Sequence, residues 1–151
     1  MENLVRQLTK QGLTISSCES FTVGNFGAKI GSISGASKVY QGSLICYNTT
    51  IKIDVLGVAA SLVKQYGVVS YEVAKEMCRN GRQLFNSDIC ISFTGNAGPS
   101  AMENKPVGLV YIGINYLDEI EVLECHLSGR RFEIVNEAID IALNNILNKI
   151  K

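Results

Sequence analysis

Three side chains in this sequence could together run serine chemistry without a histidine: Ser20, Tyr47 and Lys52. Ser20 falls in the hydroxyl-rich stretch Glu19-Ser20-Phe21-Thr22-Val23-Gly24, between a strand pattern and a helix pattern. A serine at such a turn can project its oxygen into a cleft, where nearby N–H groups steady an oxyanion. The plainer reading is that Ser20 caps the following helix. Lys52 lies between Ile51 and Ile53, and burial lowers a lysine's proton affinity toward a range useful for a base. Against this, a lysine on a short helix is usually solvated. Tyr47, at a strand end, could orient or relay a proton, although a tyrosine there commonly serves as an amphipathic edge residue. Taken singly, none of the three carries the argument.

Competing chemistries have less support. The only histidine is His126, between Cys125 and Leu127 near a strand end, where a structural role is the better reading. Cys18 has no histidine near it in sequence to serve as a base. The five cysteines lie mostly in apolar stretches and show no C-x-x-C pair, so no metal site of the usual kind is expected. G-x-G-x-x-G and G-x-x-x-x-G-K-[ST] are both absent, which removes the main support for dinucleotide and P-loop readings. Lysine plus arginine equals aspartate plus glutamate at 14 each, and this zero net charge argues against nucleic-acid binding. No apolar run reaches membrane-spanning length and Met1–Gly12 lacks a signal-peptide core, so a cytoplasmic protein is expected.

The elements that must position these residues follow from periodicity. A helix is expected over Glu2–Gln11, stopped by Gly12, then a strand over Leu13–Ser17. A short helix over Asn25–Ile30 precedes a strand over Val39–Tyr47, with Gly42 marking a bulge. Short helices follow near Ile51–Leu56 and Ala59–Tyr66. Ser70 is expected to cap a longer helix reaching Phe85, with Val73, Ala74, Met77 and Leu84 as its apolar stripe. Ile89–Phe93 reads as a strand buried on both faces. After the loop Gly95–Pro106 come strands Val107–Asn115 and Ile120–His126, joined as a hairpin through Leu117-Asp118-Glu119, and a helix over Arg131–Ile150. With a chain of 151 residues this gives one α/β domain over 1–151, a three-layer α/β/α sandwich with a mixed sheet of about five strands. Ligands in such sheets bind where strands end, which points to Glu19–Gly24 and Thr94–Pro99.

Four segments in order sharpen the reading: Cys18-Glu19-Ser20-Phe21-Thr22-Val23-Gly24, Tyr47-Asn48-Thr49-Thr50-Ile51-Lys52, Thr94-Gly95-Asn96-Ala97-Gly98-Pro99 and Lys105-Pro106-Val107-Gly108. Together with Gly67-Val68-Val69-Ser70 and Ser128-Gly129-Arg130-Arg131 they resemble the CinA C-terminal domain family over nearly the whole chain. Catalytic members of that family are nicotinamide mononucleotide deamidases. The family's E-S-C-T-G-G pattern places Ser20 as nucleophile, and its Y-S-N-x-A-K pattern places Tyr47 and Lys52 as its partners. The resemblance thus implies hydrolysis of the pyridine carboxamide to nicotinic acid mononucleotide and ammonia, with Lys52 accepting the Ser20 proton and Tyr47 assisting. No metal or organic cofactor is implied. Thr22, Gly24, Thr94, Gly95, Asn96, Ala97 and Gly98 are expected to contact the nucleotide, and Arg130 or Arg131 its phosphate. The plainer reading makes the loop residues turn formers and the arginines solvated.

Departures from the family pattern are specific. Phe21 stands for its cysteine, and Val23 for a glycine whose position is strained for a β-branched residue if it needs positive φ. Asn96 replaces a common isoleucine, Ser100-Ala101 replaces a glycine run, and Arg131 stands where aspartate is common. A non-catalytic member that binds a nucleotide or a protein partner is therefore the alternative. Homo-oligomers are expected, since relatives of this size commonly self-associate. Many relatives also carry a longer N-terminal domain resembling a molybdopterin-binding module, so activity here is expected to be complete within these residues or across a subunit interface.

Overall fold

Alternation of short strands and amphipathic helices resolves, in a computed structural model describing Met1–Lys151, into one open sheet with helices on both faces. The elements are α1 (Glu2–Gln11), β1 (Ile15–Glu19), α2 (Asn25–Gly31), a 3-10 turn (Ala36–Lys38), β2 (Tyr40–Ile45), α3 (Thr49–Asp54), α4 (Ala60–Tyr66) and α5 (Tyr71–Phe85). They continue with β3 (Ile89–Gly95), β4 (Leu109–Tyr116), β5 (Glu119–His126) and α6 (Arg131–Lys149). The five strands lie in the order β2-β1-β3-β4-β5, with β2, β1 and β3 parallel and β4 and β5 antiparallel. This is the mixed three-layer sandwich that the pattern predicts.

Strand alternation assigns the two faces. Ile15, Ile89, Ile91, Phe93 and Ile112 join Leu4, Leu8, Phe26, Ile139 and Ile146 in one core beneath α1, α2 and α6. Cys18, Cys46 and Cys90 point the other way and pack with Val73 and Met77 of α5. Helix α5 starts where expected, with the Ser70 hydroxyl accepting from the Val73 amide. Its stripe differs at one position. Leu84 is 53% exposed, because the helix is drawn to the sheet at Gly81 and Phe85, whose ring lies over Gly42. A Cβ at Gly81 would sit 2.3 Å from the Cys18 sulfur and 2.7 Å from that of Cys90.

Boundaries shift by about two residues in several places. Leu13 donates to the Leu8 carbonyl and Thr14 is held by the Asp88 carboxylate, so β1 runs Ile15–Glu19 rather than Leu13–Ser17. Asn48 caps α3 through the Thr50 amide, which starts that helix at Thr49 instead of Ile51. Gly42, at φ +145, carries the bulge anticipated there: Ile15 pairs with Tyr40 but Ser16 with Gly42. The hairpin closes through two residues, Leu117 and Asp118, both at positive φ, which is the turn whose twist matches its strands. No helix is long and apolar enough to cross a membrane.

Gly81→Ala is expected to lower stability by about 1–3 kcal/mol, since an added methyl has no room between α5 and the sheet. Urea unfolding reads it, and an unchanged midpoint would show that α5 can step back freely.

Candidate functional site

All three parallel strands end at the same edge, so the segments following β1, β2 and β3 converge there. The ladder continues one step past β1: the Ser20 amide donates to the Phe93 carbonyl at 3.0 Å, and Cys46 donates to Glu19 at 2.9 Å. Ser20 is thereby pinned between β2 and β3. Below it, the buried Glu19 carboxylate accepts from the Phe26 and Gly27 amides and from the Ser17 and Ser43 hydroxyls. That network ties the start of α2 to both strands.

Lys52 is 1% exposed. Its amine lies 3.0 Å from the Ser20 hydroxyl oxygen, 2.5 Å from the Cys46 carbonyl and 3.4 Å from the Tyr47 carbonyl. Burial holds its proton affinity below the ordinary lysine value. The Cys46 thiol beside it is pushed up to about 11 by burial, so it stays neutral and offers no competing anion. Ser20 does not cap a helix. The N-cap of α2 is Gly24, at φ +84, and Ser20's hydroxyl oxygen accepts from the Lys52 amine instead.

A cavity of about 160 Å³ opens over this pair, lined by Phe21, Tyr47, Val68, Val69, Thr94, Gly95, Asn96, Ala97 and Arg131 among others. A second hollow of about 200 Å³ adjoins it, sharing Phe21 and Arg131 and continuing past Val23 and Phe132. The largest surface hollow lies elsewhere, between α1 and Ile33–Lys38, and holds no paired nucleophile and base.

Several anticipated contacts are otherwise engaged. Tyr47 is at the mouth, 60% exposed, and its phenol bonds to neither Ser20 nor Lys52; only its carbonyl does. The Asn96 side chain is spent within its own loop, on Met102 and Lys105. Thr94 donates its hydroxyl to the Val68 carbonyl at 2.6 Å. Arg130 is turned away: its amide and side chain meet Glu133 and its guanidinium stacks on Phe132, 4.7 Å from the ring centre. Arg131 alone reaches the cavity. Thr22, Gly24 and Gly98 lie outside its wall. The Thr22 hydroxyl is buried with no hydrogen-bond partner, and the Phe21 and Thr22 amides have no intramolecular acceptor.

Phe21 lines the cavity beside the nucleophile. It is 4% exposed and packs edge-on against Phe93 in the core, with ring centres 6.5 Å apart. Val23 does adopt the conformation in question, at φ +47. Thr49, Val68, Val69, Ser100 and Met102 also line the wall although no motif marks them as ligand contacts, and Cys46 contributes a main-chain carbonyl, which carries no side-chain signal.

A serine paired with a buried lysine where three parallel strands end defines an α/β domain built around a Ser–Lys site. The model of the CinA C-terminal domain matches residues 1–150, and the chain belongs to that family. A Bacillus pumilus relative named as a competence-damage inducible protein is 39% identical over 153 residues, covering 99% of this chain and 37% of its own. One from Thermoanaerobacter is 43% identical over 151 residues, with 97% and 37% covered. The chain thus spans little more than a third of those relatives. Among solved structures, a CinA superfamily protein from Klebsiella pneumoniae matches with TM-score 0.96 and 26% identity, over 99% of this chain and 94% of that one. The competence/damage inducible protein CihA from Agrobacterium tumefaciens matches with TM-score 0.93 and 27% identity, over 97% and 90%.

Val23→Gly is expected to stabilise the fold by about 1 kcal/mol, because a left-handed backbone costs a residue with a Cβ roughly that much. Val23 is 53% exposed, so little burial is lost. A lower unfolding midpoint in the glycine variant would refute the strain.

Proposed function

We propose that this domain is an amidohydrolase that converts nicotinamide mononucleotide to nicotinic acid mononucleotide and ammonia. The observation that carries the reading is the 3.0 Å approach of the buried Lys52 amine to the Ser20 hydroxyl at the floor of a cavity. Family membership supports it. The neutral amine takes the Ser20 proton as the oxygen attacks the carboxamide carbon. The oxyanion that forms is stabilised by the unpaired amide of Phe21, the residue that follows the nucleophile on the cavity wall. Collapse of that intermediate breaks the C–N bond, and the lysine ammonium returns its proton to the departing ammonia. Water then attacks the Ser20 ester, with Lys52 again as base, and releases the carboxylate.

The cavity's volume of about 160 Å³ is below the several hundred Å³ of sites that enclose a whole ligand. It takes the pyridine ring, while the ribose and phosphate extend past Arg131 toward the adjoining hollow. Arg131 is the phosphate ligand in this reading, and Arg130 is not. Proton transfer belongs to Lys52, and Tyr47 contributes its ring to the mouth and its carbonyl to the lysine.

Ammonia release from nicotinamide mononucleotide is the test. Ser20→Ala and Lys52→Met are each expected to reduce the rate by about a thousandfold or more. Because the neutral amine is the active form and burial lowers its proton affinity, the rate should rise with pH. Its midpoint should fall below the ordinary lysine value, with activity lost as the amine protonates at lower pH. Absence of ammonia release by folded native protein, across related amides, would favour a non-catalytic nucleotide-binding role.

A further inference from the structure

The loop returning from β3 to β4 carries a charged pair that the chemistry above does not use. Glu103 accepts the backbone amides of Val68 at 2.7 Å and Val69 at 3.2 Å. Lys105 donates to the carbonyls of Tyr66 at 2.7 Å and Val69 at 2.6 Å, and meets Glu103 at 3.1 Å. The two side chains therefore read the segment Tyr66–Val69 by its main chain. Gly67 permits the approach: it sits at φ +79, and a Cβ there would fall 2.3 Å from a Glu103 carboxylate oxygen. Glu103 and Asn104 hold φ +62 and +55, a region unfavourable to residues with a Cβ, so the loop is bent to deliver this carboxylate.

What the clasp holds is a wall of the site. Val68 and Val69 line the cavity over Ser20 and Lys52, as does Met102 from the loop itself. On the opposite side Thr94 grips the Val68 carbonyl. The ionisable groups around Lys52 are Cys46 and Tyr47 after β2, Glu19 beneath the serine turn, Arg131 at the head of α6, and Glu103. Burial pushes the Glu103 carboxyl up, but the Val68 and Val69 amides and Lys105 outweigh this and hold it below the usual carboxylate range. It is an anion at neutral pH, and its charge raises the proton affinity that burial lowers at Lys52.

We propose that Glu103 is a positioning residue for the Ser20–Lys52 pair, fixing the Val68–Val69 wall of the cavity that holds them. The proposal rests on the serine–lysine reading of the site, but its test needs no substrate. The Lys52 side-chain resonance is titrated by NMR in the native chain, in Glu103→Gln and in Lys105→Met, with amide exchange followed at Val68 and Val69. In Glu103→Gln the Lys52 midpoint is expected to move down, because the anion that favours the ammonium is gone. Its two clasped amides should exchange about tenfold faster. Lys105→Met leaves the Glu103 charge uncompensated and should move the midpoint up. Faster exchange with the Lys52 midpoint displaced supports the proposal. Unchanged exchange in Glu103→Gln, or midpoints unchanged in both variants, would overturn it. Failure of the native protein to release ammonia would count against the amidase reading and leave this titration as it stands.

Discussion

The rest of the site depends on one constraint, the burial of an amine with 1% of its residue's surface exposed. A lysine in that position must find fixed oxygen acceptors, because removing an ammonium from water is expensive. Here the principal acceptor is the Cys46 carbonyl, at the step where β2 leaves the sheet. That carbonyl is aimed correctly only if β2 keeps its bulged register against β1, and β1 in turn presents Ser20 from the same edge. The buried network on Glu19 secures both strands and the start of α2. Moving any of these parts would leave the amine without its partners.

Around that fixed centre the polar side chains of the loops are mostly committed to structure. Asn96 ties its loop together, Thr94 holds Val68, and Glu103 and Lys105 hold the segment before α5. A ligand therefore meets a wall in which polar and apolar residues are mixed, with Arg131 among the polar ones. The unusual residues in the serine turn divide between core and surface. Phe21 is absorbed by the core, while Val23 carries its strain on the surface beside the second hollow.

Periodicity made the architecture readable, since each strand and helix buries one regular stripe. Where it failed, the cause was close contact. Leu84 lies on the apolar side of α5 by spacing, but the helix meets the sheet through glycine and Phe85 and leaves it outside. Ser20 and Lys52 were legible as types at plausible positions, and motif resemblance paired them; nothing in the spacing alone joins residues so far apart. Asn96 and Arg130 show how little residue type alone decides. Each has the chemistry to bind a ligand, and each meets a nearer partner within its own loop or helix turn. Cys46 was illegible as a site residue because its main chain acts, and every residue has that group.

The return from β3 to β4 has a topological freedom that the other site-forming segments lack. The links after β1 and β2 must carry the chain across the sheet to a parallel neighbour, whereas this one simply reverses into an adjacent antiparallel strand at the same edge. Doubling the length of such a loop costs only about 0.6 kcal/mol in closure entropy. Insertions and deletions between Ala97 and Met102, short of the Glu103–Lys105 clasp, can therefore reshape the roof of the cavity while the serine, the lysine and the parallel register beneath them stay in place. The fold thus separates a fixed reaction floor from a ceiling free to diverge, and new ligand preferences are most readily acquired by changing the ceiling.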